Sequence, residues 1–115
     1  MTPSPGKGRV VALRDERKGD DYRYLGAYVD WKGALHIDGQ DLGPGTAVIS
    51  SDGEYEWFQI IARRHVRKVV ALLEGRRGVD VLDLLEEHWT GPRSYELERR
   101  LRESDIPIKR FVWTG

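Results

Sequence analysis

The stretch Tyr22–Asp38, YRYLGAYVDWKGALHID, decides the fold. Its period is two: Tyr22, Tyr24, Gly26 and Tyr28 share one face, while Leu25, Ala27, Val29 and Trp31 share the other. Asp30-Trp31-Lys32-Gly33 then reads as a tight turn, with glycine at the position that needs positive φ. Ala34–Asp38 returns as the paired strand, with Leu35 and Ile37 on its apolar face. A hairpin with one apolar and one tyrosine-rich face is half of an antiparallel sheet packed on one side.

Upstream, Val10–Leu13 is a short apolar run that fits a first strand, and Arg14–Asp21 (RDERKGDD) reads as a charged turn. Met1–Gly8 is rich in Pro, Gly and Ser and is expected to be a disordered lead-in to a single domain over residues 9–115. Downstream, Gly39–Ser51 carries three glycines and Pro44 and is expected to interrupt the sheet. Glu54–Ala62 is the strongest strand, because Tyr55, Trp57, Phe58, Ile60 and Ile61 all favour pleated surface. Its apolar second half predicts a central strand covered on both sides near Ile60.

Beyond residue 62 the period becomes 3.6. Val66, Val69, Val70 and Leu73 fall on one side of a helix, with Arg63, Arg64, Arg67 and Lys68 nearly opposite and Gly75 as its stop. A second helix is expected from an Asp80 cap, with Val81, Leu82, Leu84, Leu85, His88 and Trp89 inward and Asp83, Glu86 and Glu87 outward. Ser94 should cap a third helix with Leu97 and Leu101 as its apolar stripe and Glu96–Arg100 and Glu98–Arg102 as exposed pairs. Ile106-Pro107 stops it, and Ile108–Thr114 reads as a last strand. Strands followed by helices and one closing strand predict an α+β domain. The expected architecture is an antiparallel sheet of about four to five strands with two to three helices on one face. The closing strand should bury Trp113, so that loss of Phe111 onward would damage the fold.

Composition narrows the function more than it assigns one. The 115 residues carry 19 basic and 19 acidic side chains and no cysteine, which excludes a disulfide scaffold, a thiolate nucleophile and Cys-ligated metal. No apolar run has the length of a membrane span and the N-terminus lacks a signal-peptide core, so a soluble, cytoplasmic protein is expected. Residues 1–62 hold 7 bases and 10 acids and the remainder 12 and 9, too slight an asymmetry to favour nucleic acid. Phosphate-loop, nucleophile-elbow and zinc-helix motifs are missing, and no motif asks for a cofactor.

Three surfaces could still carry function. Asp38, Asp41, Glu54 and Glu56, with His36 two residues before Asp38, could hold a divalent ion or serve a metal-dependent hydrolase if their strands were neighbours. The alternative is the solvated face of a sheet. Arg63, Arg64, Arg67 and Lys68 could meet phosphate, or simply face water. The stripe Tyr22, Tyr24 and Tyr28, with Gln40, Asp41, Glu54 and Glu56 nearby, would suit a protein partner or a homodimer, since tyrosine brings contact area at low entropic cost. A non-enzymatic, immunity- or antitoxin-like binding module is the leading expectation.

At Tyr24-Leu25-Gly26-Ala27-Tyr28, Gly39-Gln40-Asp41-Leu42-Gly43 and Glu54-Tyr55-Glu56-Trp57 the chain resembles a family of small uncharacterised bacterial proteins, mainly from actinomycetes. The likeness continues through Ser94-Tyr95-Glu96-Leu97-Glu98 to the aromatic C-terminal strand. It implies a single bacterial cytosolic domain and brings no activity with it.

Overall fold

A computed structural model describes residues 8–44 and 53–114. The expected lead-in, apart from Gly8, and the second half of the expected Gly39–Ser51 loop lie outside the described residues. The elements run β1 (Val10–Lys18), β2 (Asp21–Val29), β3 (Leu35–Leu42), β4 (Glu54–Ile61), α1 (Arg63–Leu72), α2 (Val81–His88), α3 (Arg93–Glu103) and β5 (Lys109–Thr114). The five strands form one antiparallel sheet in sequential order β1-β2-β3-β4-β5, which makes the protein an α+β fold with an open sheet.

The hairpin at residues 22–38 forms as its alternation requires. Ala27 pairs with Ile37 and Val29 with Leu35, and all the inward residues except Val29 are fully buried. Asp30 organises the turn: its Oδ1 accepts from the Lys32 and Ala34 amides, and Gly33 takes φ +85°. Trp31 does not continue the inward row, because the chain has already turned; it is 77% exposed.

Both neighbouring strands are longer than the sequence suggests. Arg14–Lys18 is strand, not a charged turn, and the reversal is confined to Gly19-Asp20. An edge strand tolerates such charge because one of its backbone edges is open to water. The register slips between Ala12 and Arg14, and both Leu13 and Arg14 are buried. Likewise β3 runs on through Gly39 to Leu42. Gly39 stays in the ladder opposite Trp57, and its missing side chain makes room for the Trp57 ring, since a Cβ there would collide with the indole.

Helices cover one face only. Val69, Val70 and Leu73 of the α1 segment, Val81, Leu82, Leu84 and Leu85 of α2, Trp89, and Leu97 and Leu101 of α3 meet Val11, Leu13, Leu25, Ala27, Leu35, Ile37 and Ile61 of the sheet in one core. Asp80 caps α2 by accepting from the Asp83 amide. His88, expected on the apolar arc, ends α2 exposed, while the next residue, Trp89, takes the buried place. Ser94 does not cap α3. It is the second helical residue, buried, and its hydroxyl donates to the Gly91 carbonyl. The left-handed residue after α1 is Glu74 (φ +62°), not Gly75; the Glu74 and Gly75 amides return to Ala71 and Val70 in a Schellman closure. Gly75 is needed for space instead, since a Cβ there would meet Leu84.

Two expectations for the last strands fail. β4 is an interior strand, flanked by β3 and β5, but it is not covered on both sides: Ile60 is half-buried on a face that no described helix covers. Trp113 is 49% exposed because β5 pairs only with β4 and its register sets Trp113 opposite Glu56, on the face away from the helices.

Candidate functional site

The strand register sorts the sheet's side chains into two surfaces. On the open face, one row joins Asp15, Tyr24, Gln40, Glu56 and Trp113; the next joins Ala12, Gly26, Asp38, Phe58 and Phe111; a third joins Val10, Tyr28, His36, Ile60 and Lys109. A fourth carries Arg17, Tyr22, Leu42 and Glu54. Six of the seven residues expected to bind a partner, Tyr22, Tyr24, Tyr28, Gln40, Glu54 and Glu56, therefore share one surface. The sequence reading missed its apolar members Phe58, Ile60, Phe111 and Trp113. Their two-residue spacing from Glu56 and from one another was the available signal.

This face is organised by side-chain contacts. The Tyr22 hydroxyl donates to Asp15 at 2.9 Å, and the Gln40 amide donates to Glu56 at 3.1 Å. Tyr28 and His36 stack with ring centres 4.4 Å apart and planes 9° from parallel. His36 Nε2 lies 2.8 Å from Asp30 Oδ2, which holds the Asp30 carboxyl below its ordinary range. Tyr24 leans over Gly26, where there is no side chain to lift it off the sheet. Burial first, then the negative charges of Asp15 and Asp38, pushes the Tyr24 phenol up; Tyr28 is raised the same way, by burial and by Asp38 and Asp30. All three tyrosines present neutral hydroxyls.

The acids do not converge on a metal site. Strands β3 and β4 are neighbours, but the register sets Asp38 opposite Phe58, His36 opposite Ile60, and Glu54 opposite Leu42. Among the described residues no group of three or more His, Asp or Glu side chains is placed to hold a metal ion. Asp41 leaves the set altogether. It pairs with Arg23 and Tyr55 on the helix-covered face.

That second surface holds a polar cluster the sequence reading did not find. Arg14 is 3% exposed; its Nε donates to Ser94 Oγ (3.0 Å), its Nη2 to Glu98 Oε1 (2.7 Å), and its guanidinium lies 3.6 Å from the centre of the Tyr95 ring. The other Glu98 oxygen accepts from Trp57 Nε1 at 2.8 Å. Glu98 thus turns inward to Arg14 and Trp57 and forgoes the expected surface pair with Arg102, whereas Glu96–Arg100 forms as expected at 3.1 Å. Beside this cluster, between α3 and strands β3, β4 and β5, runs a trough of about 300 Å³. Asp41, Tyr55, Trp57, Gln59, Glu98 and Arg102 line it.

The basic side of α1 is as the sequence suggests: Arg63, Arg64, Arg67 and Lys68 are exposed. Arg67, Lys68 and Arg77 also rim a groove of about 630 Å³ floored by Val66, Val70, Ala71 and Val79. Burial, then the field of Lys68, Arg64 and Arg67, pushes His65 below its ordinary range. No helix among the described residues is long and apolar enough to cross a membrane. Comparison with protein-family models, with curated proteins and with solved structures gives no match for this chain.

Proposed function

We propose that this is a non-enzymatic protein-binding module that uses the open face of its sheet. The supporting observation is the one-sided placement of the three helices. It leaves Tyr22, Tyr24 and Tyr28, the Gln40–Glu56 pair, and the aromatic end of the sheet at Phe58, Phe111 and Trp113 on one surface that no described helix covers. Such a mixture of aromatic area and fixed polar groups suits a protein interface. The acids Asp15, Asp38, Glu54 and Glu56 tilt the face toward a partner that presents basic side chains. An immunity- or antitoxin-like role in a bacterial cytosol, in keeping with the resemblance at GQDLG and EYEW, is the concrete form of this reading.

The test is affinity capture with the wild-type chain and a Tyr24→Ser/Tyr28→Ser variant, followed by rebinding with the purified captured protein. The variant is expected to keep its melting temperature within about 2 °C, since the rings are only half-buried, and to bind at least about tenfold more weakly. Equal binding by the variant would overturn the assignment. A partner whose binding is insensitive to salt would contradict the basic-partner part of it.

A further inference from the structure

We infer that the groove between α1 and residues 75–79 binds a free aliphatic carboxylate, in its simplest form a medium-chain fatty-acid anion. The groove belongs to the helical layer and shares no residue with the tyrosine face of the sheet.

Helical spacing builds the groove. Val66 and Val70 stand four residues apart in one row along α1; Arg67 and Ala71 form the next row, and Lys68 follows. Val69 and Leu73 turn into the core, which leaves the Val66–Val70 row at its margin. Val70 is buried, Val66 partly so, and Ala71 is exposed. After α1 the chain doubles back, with the Gly75 amide donating to the Val70 carbonyl at 2.9 Å, and Arg77, Gly78 and Val79 form the opposite wall. The enclosed space of about 630 Å³ falls within the roughly 300–1,000 Å³ of small-ligand pockets.

The lining selects the ligand's chemistry. Its apolar side chains are all aliphatic, and no aromatic ring, hydroxyl, side-chain amide or carboxylate lines the groove. A polyol or a nucleoside would lose hydrogen bonds to water there without replacing them. An alkyl chain loses none, and it takes its own area and that of the valines out of water. The polar side chains at the groove are Arg67, Lys68 and Arg77, all exposed. Among the described residues none of the three forms an ion pair with a carboxylate, whereas Arg93, Arg99 and Arg100 of α3 each do. The charges that act on neighbouring His65 are those of Lys68, Arg64 and Arg67, with no acid opposing them. Such a rim repels a cation. A carboxylate complements it, since an arginine fork matches two oxygens and a lysine adds a point charge.

Floor length decides between a small ligand and an acidic amphipathic helix. Val66 to Ala71 spans about 7.5 Å along α1 at 1.5 Å per residue. A helix seated in a groove anchors through positions i to i+7, about 10.5 Å along its axis, which is more than this floor offers.

The experiment is an NMR titration of the full chain that follows the methyl signals of Val66, Val70, Ala71 and Val79, with octanoate as the probe. 1-Octanol, octylammonium and acetate are the counter-probes; they remove the charge, reverse its sign and remove the chain. Octanoate is expected to shift these methyls with half-saturation in the millimolar range, and each counter-probe at the same concentration to give less than about a fifth of that shift. Lys68→Gln with Arg77→Gln should weaken octanoate binding about tenfold and reduce its salt dependence. Ala71→Glu, which sets an acid on the floor, should abolish it. The replaced side chains are exposed, so both variants are expected to fold, and unchanged Leu25 and Ile37 methyl signals from the core verify that. Tyr24→Ser/Tyr28→Ser should bind octanoate as the wild type does. Absence of an octanoate shift, an equal response to 1-octanol or octylammonium, or binding that survives both variants would overturn the inference. So would a response confined to an acidic amphipathic peptide or to phosphatidylglycerol vesicles, which would make the groove a protein or membrane contact. None of these outcomes bears on the open-face assignment, whose test is the tyrosine variant's capture of a partner.

Discussion

At Asp41, burial outweighs attraction. The carboxylate sits on the helix-covered face near Arg23 and Arg14, yet desolvation is the larger influence and pushes its pKa above the ordinary value. The folded state therefore binds a proton at Asp41 more readily than the unfolded chain does. Between the ordinary carboxylate value and the raised folded one, this residue costs stability as pH rises, and the cost is complete above the folded pKa. Asp41→Asn removes that cost. The variant is expected to melt above the wild type at pH 7, with the difference shrinking as pH falls through the Asp41 titration and vanishing below the ordinary carboxylate range. Thermal denaturation of both proteins from pH 3 to 8 checks this; a wild type more stable than the variant at pH 7 would show that Arg23 governs the site. The sequence reading grouped Asp41 with Asp38 and Glu54. Period two places residues 38 and 41 on opposite faces once β3 is seen to be continuous through Gly39, where the glycine makes room for Trp57, eighteen residues away.

At the level of elements, β1 and α3 are joined by charge. Arg14 and Glu98 are 84 residues apart in sequence and form a largely buried pair, with Ser94, Tyr95 and Trp57 completing it. Removing one member leaves the other charge buried and uncompensated. Arg14→Ala and Glu98→Ala are each expected to cost about 3–5 kcal/mol. Replacing both members by apolar residues of similar size, Arg14→Met with Glu98→Leu, should recover most of the loss, because the desolvation cost of both charges disappears together. Urea denaturation of the three variants measures it. A double variant no more stable than the singles would mean that the pair orders α3 through its hydrogen bonds rather than by charge compensation. Sequence patterning shows helices, strands and their apolar faces because those depend on local period. It reads Arg14 as part of a turn and Glu98 as a surface partner of Arg102, because nothing local tells a charged residue that its partner lies across the core.

For the whole molecule, the one-sided layering was legible from the order of elements and from the inward set Leu25, Ala27, Leu35 and Ile37. The weight of the last strand was not. Its aromatic run KRFVWT suggests a core strand, but β5 has one neighbour, and Phe111, Val112 and Trp113 are 52%, 60% and 49% exposed. Half-burial of three such side chains contributes about 3 kcal/mol at about 1.5–3 kcal/mol for each complete burial. Fixing the four residues from Phe111 to Thr114 costs an amount of the same order, at about 1 kcal/mol or more of backbone entropy per residue. These opposing contributions nearly cancel. A chain ending at Arg110 is therefore expected to unfold cooperatively and to lose less than about 2 kcal/mol, contrary to the damage that a buried Trp113 would imply. In the intact protein the β5 amides should exchange with solvent well before those of β2 and β3, which are paired on both sides above the core. Hydrogen exchange and urea denaturation test the two halves of this prediction together. Loss of more than about 4 kcal/mol on truncation, with β5 amides as protected as those of β3, would place β5 in the cooperative core.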